Sequence, residues 1–272
     1  MRKELKISKG CKGILLGLTI LAVSLILLTN ESFSGTSGPG VRGTRHDLSP
    51  TGSTEFQFAR AGVVEEVCVF CHTPHLGNTG VMPLWNRSLS PTTFTMYSSV
   101  TFNMGPVASI GATSALCMSC HDGIMAMNMV VNSPGRGSTG SIPVLGSYSK
   151  LGEVWYQGSP WGIWDNIGGG NDSASAANLS DEHPVSFTYN NAADLQGNNF
   201  PAPSGGTIQG AVTNATYRLY GAGYNQFECS TCHDVHDTAT YATKDVSEVF
   251  FLRTSNEQSR MCRDCHTTKF PN

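Results

Sequence analysis

One five-residue pattern occurs four times in this 272-residue chain and constrains the protein more than any other feature. Each copy has two cysteines separated by two residues, with a histidine directly after the second cysteine. The copies span 68–72, 117–121, 229–233 and 262–266, with the pairs Cys68 and Cys71, Cys117 and Cys120, Cys229 and Cys232, and Cys262 and Cys265. This spacing is the attachment pattern of c-type haem, in which the thiols form thioethers with the vinyl groups and the histidine binds the iron. The chain therefore predicts four covalently bound haem c groups.

Other uses of paired cysteines explain the pattern less well. A zinc ribbon needs two such pairs for each metal and has no need of a following histidine. A thioredoxin-like redox site needs one pair within a βαβ unit, and no such unit is visible. A disulfide framework is typical of a much shorter secreted chain. The ninth cysteine, Cys11, precedes the first apolar stretch and is expected to be removed with it.

The N-terminal segment 1–34 has the features of a secretory signal peptide. Basic residues from Arg2 to Lys12 precede an apolar run at 14–28. Ser32 and Ser34 place small residues at the cleavage site, so the mature chain is expected to begin at Gly35 and to comprise 35–272 as one tetrahaem domain. An uncleaved membrane anchor is the alternative, but the run is shorter than the roughly 20 residues that span a bilayer. We therefore expect an exported protein, extracellular or at the cell surface, with the periplasm as the alternative and no membrane span in the mature chain.

The composition is that of a chain which would build a poor core unaided. Charged residues make up 14% of the sequence, against about 25% in typical globular proteins. The net charge of −3 gives no reason to expect nucleic-acid binding. Residues 122–228 contain no cysteine and many turn residues, so we expect a long loop-rich segment there. Apolar residues are scattered, and four haems would provide the apolar surface around which such a chain could fold.

A few local elements can be predicted beside the motifs. Thr113 or Ser114 would cap a one-turn helix carrying the second motif. The sequence from Ser255 to Gln258 fits a capping box that opens a short helix into the fourth motif. One strand is expected around 94–100.

The histidine count matches a second axial ligand for every haem. The chain has eight histidines. The motifs use four of them as proximal ligands, namely His72, His121, His233 and His266. The other four equal the number of irons, and they are His46, His75, His183 and His236. The count predicts bis-histidine ligation throughout. Methionine is the competing ligand, and the methionines near the motifs are Met118, Met125, Met127, Met129 and Met261. Met118 and Met261 are too close to their own cysteines to reach the opposite haem face.

Two of the remaining histidines share one spacing. His75 follows His72 by three residues, and His236 follows His233 by three. In a helical turn both imidazoles of such a pair lie on one side of the chain. The second histidine is therefore expected to bind a different haem, which would hold two haems close together. The spacing does not indicate which irons His46 and His183 reach.

Several motifs together resemble the secreted tetrahaem cytochromes of the OmcE type, which are subunits of extracellular cytochrome filaments. The matching stretches are Arg-His-Asp-Leu-Ser at 45–49, Cys-Val-Phe-Cys-His-Thr-Pro-His at 68–75, Pro-Leu-Trp-Asn-Arg at 83–87, Cys-Met-Ser-Cys-His-Asp-Gly at 117–123, His-Pro-Val at 183–185 and Phe-Leu-Arg at 251–253. The resemblance implies a multihaem cytochrome c fold, mostly coil and loops, with short helices at the motifs and a few short strands wrapped around four stacked haems. It also implies homopolymers in which one distal histidine crosses the subunit boundary, with His75 as the candidate.

Three classes of function compete at this point. A filament subunit would conduct electrons over long distances to other redox proteins or extracellular acceptors. A periplasmic or membrane-anchored tetrahaem carrier, of the shuttle or quinol-oxidising type, would use the same cofactors without polymerising. An enzyme needs a haem with an open axial position, and the histidine count leaves none. We therefore expect an electron-transfer protein with no catalytic residues.

Overall fold

The computed structural model describes residues 40–42, 44, 46–50, 60–61, 64–81, 84–122, 129–133, 140–141, 144–145, 178–193, 197, 199–236 and 251–268. All of them belong to a single compact unit, Pro39–Asn272. The predicted signal peptide and its cleavage site lie outside the described residues.

Each of the four cysteine motifs contains a helical turn. The helices of the described chain are a 3-10 helix at Val67–Phe70, α1 at Ala112–His121, a 3-10 helix at Asn191–Ala193, α2 at Cys229–Cys232, a 3-10 helix at Glu257–Ser259 and α3 at Arg260–Cys265. Residues three apart on a helix lie on one face. A helical turn therefore brings the two thiols of a motif to the same side of the chain.

The two predicted helix caps are wrong. Helix α1 has ten residues rather than one turn, and Gly111 is its N-cap. Ser114 lies inside the helix and donates its hydroxyl to Glu228 instead. Helix α3 begins after Ser259, which has a left-handed backbone and makes no side-chain capping bond. The 3-10 helix at Glu257–Ser259 precedes α3, and no side-chain bond caps it; Gln258 within it has a non-helical backbone with a positive φ of 54°.

The strands form four separate two-stranded antiparallel ladders. The pairs are β1 (Arg60–Ala61) with β4 (Val144–Leu145), β2 (Met129–Val130) with β3 (Gly140–Ser141), β5 (Phe187–Thr188) with β8 (Gln226–Phe227), and β6 (Thr207–Gln209) with β7 (Thr216–Arg218). Seven of these strands fall in the segment expected to be loop-rich, because strands of two or three residues leave almost no alternation in the sequence. The strand expected around 94–100 is wrong, since that stretch makes only an isolated bridge between Thr95 and Asn178.

The apolar core is divided into small clusters. The largest packs around β5 to β8 and consists of Phe187, Tyr189, Ile208, Tyr217, Leu219 and Phe227. Cys232 and Cys265 pack against its edge, so the third and fourth motifs share this cluster. A smaller cluster of Val64, Phe70 and Val130 contacts the first motif at Cys71. The motifs thus lie where the apolar clusters meet the rest of the chain.

Candidate haem-binding site

Asn86 holds the first motif. Its side chain is fully buried, and its amide nitrogen donates to the carbonyls of Val69 at 2.6 Å and Asn132 at 2.9 Å. Its backbone N–H donates to the Cys71 carbonyl at 2.8 Å, and Asn132 donates back to the Asn86 side-chain oxygen at 2.8 Å. A buried amide with its donors and acceptor paired fixes the surrounding backbone. The loop that carries Cys68 and Cys71 is therefore held in one conformation.

Arg87, the next residue, holds the second motif. Its guanidinium is fully buried and donates to the Ser119 carbonyl through Nε at 3.3 Å and Nη2 at 3.0 Å. Ser119 lies between Cys117 and Cys120 in helix α1. Two consecutive residues therefore bind the backbones of two different motifs and set the distance between them.

Glu228 connects the second and third motifs. This buried carboxylate precedes Cys229 and accepts hydrogen bonds from the hydroxyls of Ser114 in α1 and Ser186, the latter at 2.9 Å. With Thr231 it forms a reciprocal capping box at the start of α2, and the Thr231 hydroxyl accepts from the Glu228 backbone N–H at 3.0 Å. The Cys229 N–H donates to Ser114 at 3.0 Å. These bonds join α1 to α2 beside their cysteines.

Arg253 holds the other side of the third motif. Its Nε donates to the Ser230 carbonyl at 3.0 Å, and its Nη1 pairs with Asp234 at 2.9 Å. Its backbone N–H donates to the Cys232 carbonyl at 2.9 Å. The chain directly after His233 is consequently held by an ion pair and by backbone bonds.

Asp264 lies inside the fourth motif and is fully buried. Its carboxylate accepts from the backbone N–H groups of Val212 at 2.8 Å and Thr213 at 2.7 Å, from the Thr213 hydroxyl, and from the Tyr217 hydroxyl at 2.5 Å. Burial, and then this hydrogen bond, raise the pKa of Tyr217 well above its usual value. The fourth motif is therefore fastened to β7 and to the turn that precedes it.

These polar residues were not identified as site residues from the sequence. Glu228 stands directly before a motif, and Asp264 stands inside one. A charged residue at either position is the signal that could have identified them as site residues. Asn86 and Arg87 appeared only within a stretch that carried the family resemblance. Their contacts join residues far apart in the chain, so their roles depend on tertiary structure.

Burial raises the pKa of several of the motif thiols. The eight motif cysteines are all free thiols. Burial raises the pKa of Cys71, Cys232 and Cys265 to about 12. The hydrogen bond that Cys117 donates to Cys229, and then burial, raise the pKa of Cys117 as well. The same hydrogen bond lowers the pKa of Cys229, against the opposing effect of burial.

Two proximal histidines each face a histidine from elsewhere in the chain. The rings of His72 and His236 have centroids 6.1 Å apart, and those of His46 and His121 are 6.0 Å apart. Two imidazoles that bind one iron from opposite sides have centroids about 6 Å apart, because each bonded nitrogen lies about 2 Å from the metal. The structure thus brings the His236 ring near that of His72 in the first motif, and the His46 ring near that of His121 in the second.

The electrostatics of His46 and His72 favour neutral imidazoles. Burial, and then His121 with two further histidines, lower the pKa of His46 to about 3. Its Nδ1 is buried without a hydrogen-bond partner in the described part of the chain. Burial and then His236 lower the pKa of His72, while a hydrogen bond to the Leu84 carbonyl raises it. A neutral imidazole with one nitrogen on a backbone carbonyl has the usual arrangement of a metal-binding histidine.

The other two predicted distal ligands, His75 and His183, are exposed at the surface. His183 makes a hydrogen bond of 2.9 Å between Nδ1 and the Pro184 carbonyl, which leaves Nε2 available. Its ring lies 5.7 Å from Phe227. Among the described residues, neither imidazole has a ring contact with a proximal histidine. The structure therefore does not assign these two to a haem of the same chain.

The proximal histidines of the third and fourth motifs occupy different surroundings. His233 bridges to Leu252, and the ring of His266 lies 5.1 Å from Phe200. The methionine alternative is weakened at the second motif, because Met118 is buried in a cluster with Phe94, Met96 and Leu179. Met125 and Met127 lie outside the described residues.

The residues around the motifs fit haem as the cofactor. Besides the thiols and the two imidazole pairs, the Trp85 indole nitrogen and the Ser230 hydroxyl are buried without hydrogen-bond partners among the described residues. The Trp85 ring lies 5.7 Å from that of His72, and Ser230 lies between Cys229 and Cys232. Buried donors normally find a partner, and the two carboxylates of haem are acceptors of the kind that these groups lack. No group of three or more His, Cys, Asp or Glu side chains in the described chain is arranged to hold a bare metal ion.

No protein-family model matches the chain, and no curated protein matches it at a significant level. Among the described residues, no helix is both long and apolar enough to cross a membrane.

Proposed function

We propose that the chain is an exported tetrahaem c-type cytochrome that transfers electrons outside the cell and polymerises into a conductive filament. The observation that carries the proposal is the pair of imidazole separations of 6.0 and 6.1 Å, each joining a motif histidine to a histidine from a distant part of the chain. Such pairs supply two axial ligands to one iron. The motif cysteines would hold haem c covalently, and the bound haem supplies one-electron exchange between ferric and ferrous iron.

The two histidine pairs favour electron transfer over catalysis. His46 and His236 would bind haem iron together with His121 and His72, and iron held in this way would have no open position for a substrate. An enzyme acting on a small molecule would need an open position. These four histidines would keep the same ligands on the iron while an electron arrives and leaves.

The chain links three of the four motifs at short range. Asn86 and Arg87 bind the first and second motifs, and Cys117 contacts Cys229 of the third. His236 lies three residues after His233, on a turn held by its N–H bond to Asp234 at 3.1 Å. Because electron tunnelling slows steeply with distance, a protein that conducts electrons benefits from these links. They are the contacts expected if the first three haems form one continuous path.

The surface around His75 supports polymerisation. The carbonyl of His75 accepts from the Thr73 hydroxyl at 2.8 Å and from the Asn132 amide at 3.1 Å, so the turn is well held. Leu76 next to it is 77% exposed with a positive φ of 55°, and Leu84 is 48% exposed. An exposed imidazole beside two exposed leucines has the character of an interface rather than of a solvated loop. We assign His75 to a haem of the neighbouring subunit.

The test compares His75→Ala with His183→Ala in the secreted protein. Intact mass first establishes four covalent haems, and negative-stain microscopy and electron paramagnetic resonance follow. His75→Ala should keep four haems, lose filaments and gain one high-spin haem per chain, since the motif cysteines are untouched. His183→Ala should keep filaments. Normal filaments and unchanged spectra in His75→Ala would reject the assignment, and a dispersed, fully low-spin wild type would favour the periplasmic carrier.

A further inference from the structure

Helices α1 and α2 carry cysteines of two different motifs and approach each other closely. A Cβ at Gly111, the N-cap of α1, would overlap the Glu228 carboxylate that precedes α2. The Ser114 hydroxyl donates to that carboxylate and accepts from the Cys229 N–H at 3.0 Å. Cys117 follows Ser114 by three residues, so both side chains lie on one face of α1. That face is the one that meets Cys229.

The thiols of Cys117 and Cys229 are in contact. Cys117 donates a hydrogen bond to the Cys229 sulfur, which raises the pKa of Cys117 and lowers that of Cys229. Burial opposes the second shift, and a hydrogen bond from Ser114 supports it. Both cysteines are partly exposed. Cys229 is therefore the better nucleophile of the two, and Cys117 lies within reach of any group that the Cys229 sulfur binds.

This contact distinguishes the pair from other motif cysteines. At Cys71 and Cys232, burial is the main cause of the raised pKa, and thiols of other motifs act on them only through their charge. A disulfide needs two sulfurs about 2 Å apart and Cα atoms less than about 7 Å apart. Two sulfurs that already share a hydrogen bond need only a small movement to reach that geometry.

We propose that Cys117 and Cys229 form a disulfide before haem is attached, and that this bond closes the second and third motifs to haem until it is reduced. A thiol held in a disulfide cannot form a thioether with a vinyl group, so one bond withdraws one thiol from each of two motifs. The predicted export takes the chain to a compartment in which disulfides form. The disulfide itself rests on the thiol contact, and its effect on haem loading rests on the proposed function.

The oxidant is a small disulfide such as glutathione disulfide. The Cys229 thiolate attacks one of its sulfurs, breaks the sulfur–sulfur bond and releases one glutathione thiolate. Cys117 then loses its proton and attacks the Cys229 sulfur, which forms the bond between the motifs and releases the second glutathione. The two cysteines lose two electrons and two protons in all, and the oxidant gains them as it becomes two thiols.

The first test identifies the disulfide in the full chain produced without haem. The chain is treated with glutathione disulfide, blocked with N-ethylmaleimide, digested without reductant and analysed by mass spectrometry. The peptide pair joining Cys117 to Cys229 should be the main cross-link between motifs. Cys229→Ser should abolish it, and the matched control Cys262→Ser should leave it unchanged. A bond between Cys117 and Cys120 instead, or an even mixture of pairings, would overturn the inference.

The second test separates this inference from the proposed function. The oxidised chain is incubated with ferrous haem before and after treatment with a phosphine reductant, and the intact mass gives the number of covalent haems. The oxidised chain should carry at most two haems, and the reduced chain should carry four. Four haems on the cross-linked chain would overturn the effect on loading. A reduced chain without covalent haem would count against the proposed function and leave the disulfide standing.

Discussion

Replacing Asp264 tests whether the buried polar contacts hold the motifs in place. In Asp264→Ala, four hydrogen bonds to the fourth motif disappear. Asp264→Asn has almost the same shape and keeps one carbonyl oxygen. That oxygen can still accept from Val212 and Thr213, while the Tyr217 hydroxyl can turn to accept from the new amide. The two variants should therefore differ strongly in stability.

The loss of unfolding free energy depends on whether each hydrogen-bond donor can bind water once the Asp264 carboxylate is removed. The Val212 and Thr213 amides are near the surface and can bind water, so each loss costs about 1 kcal/mol. The Tyr217 side chain is 2% exposed, and an unpaired buried hydroxyl costs about 1–3 kcal/mol. Asp264→Ala should lower the free energy of unfolding by about 3–5 kcal/mol. Asp264→Asn should cost only about 1–2 kcal/mol, which is the loss of charge assistance.

Urea unfolding of the holoprotein, followed by far-ultraviolet circular dichroism, measures both changes. Asp181→Ala is the control, because Asp181 is exposed and should change the free energy of unfolding by less than about 0.5 kcal/mol. Equal midpoints for Asp264→Ala and Asp181→Ala would refute the reasoning. Equal losses in the Ala and Asn variants would show that the carboxylate acts by its charge and not by its bonds.

Four further predictions concern other parts of the molecule. The intact mass of the exported protein should correspond to a chain that begins at Gly35 and carries four haems. A retained leader would reject the predicted cleavage site, and a smaller number of haems would reject the four-haem prediction. His236→Ala should convert one low-spin haem to high spin, measured by electron paramagnetic resonance, because the ring facing His72 is removed. Gly111→Ala should destabilise the fold by about 1–3 kcal/mol in urea unfolding, since its Cβ would lie 2.0 Å from the Glu228 carboxylate. Burial lowers the pKa of His46 from 6.5 to about 3. The free energy of unfolding should therefore fall by roughly 1.4 kcal/mol per pH unit as the pH is lowered from 6.5 to 3, because the unfolded chain binds a proton that the folded chain does not. A free energy of unfolding that is constant over this pH range would contradict it.

Short-range chemistry could be derived from the sequence alone. The haem prediction depends on the spacing of five consecutive residues, and the bis-histidine prediction on a count. The three-residue spacing of His233 and His236 also predicts that His236 serves another haem, and the structure brings its ring to within 6.1 Å of the His72 ring. Local capping was harder to predict, because Ser114 and Gln258 take conformations or partners set by residues far along the chain.

Only the tertiary structure decided which distant residues meet. The pairing of His46 with His121 needs the chain to return over a separation that no local pattern encodes. The same holds for Arg87 at Ser119 and Asp264 at Val212, where buried groups pair because an unpaired one would cost free energy. The predicted covalent attachment depends on neighbours in the sequence, whereas the approach of the histidine rings and the spacing of the motifs depend on the packing of the whole chain.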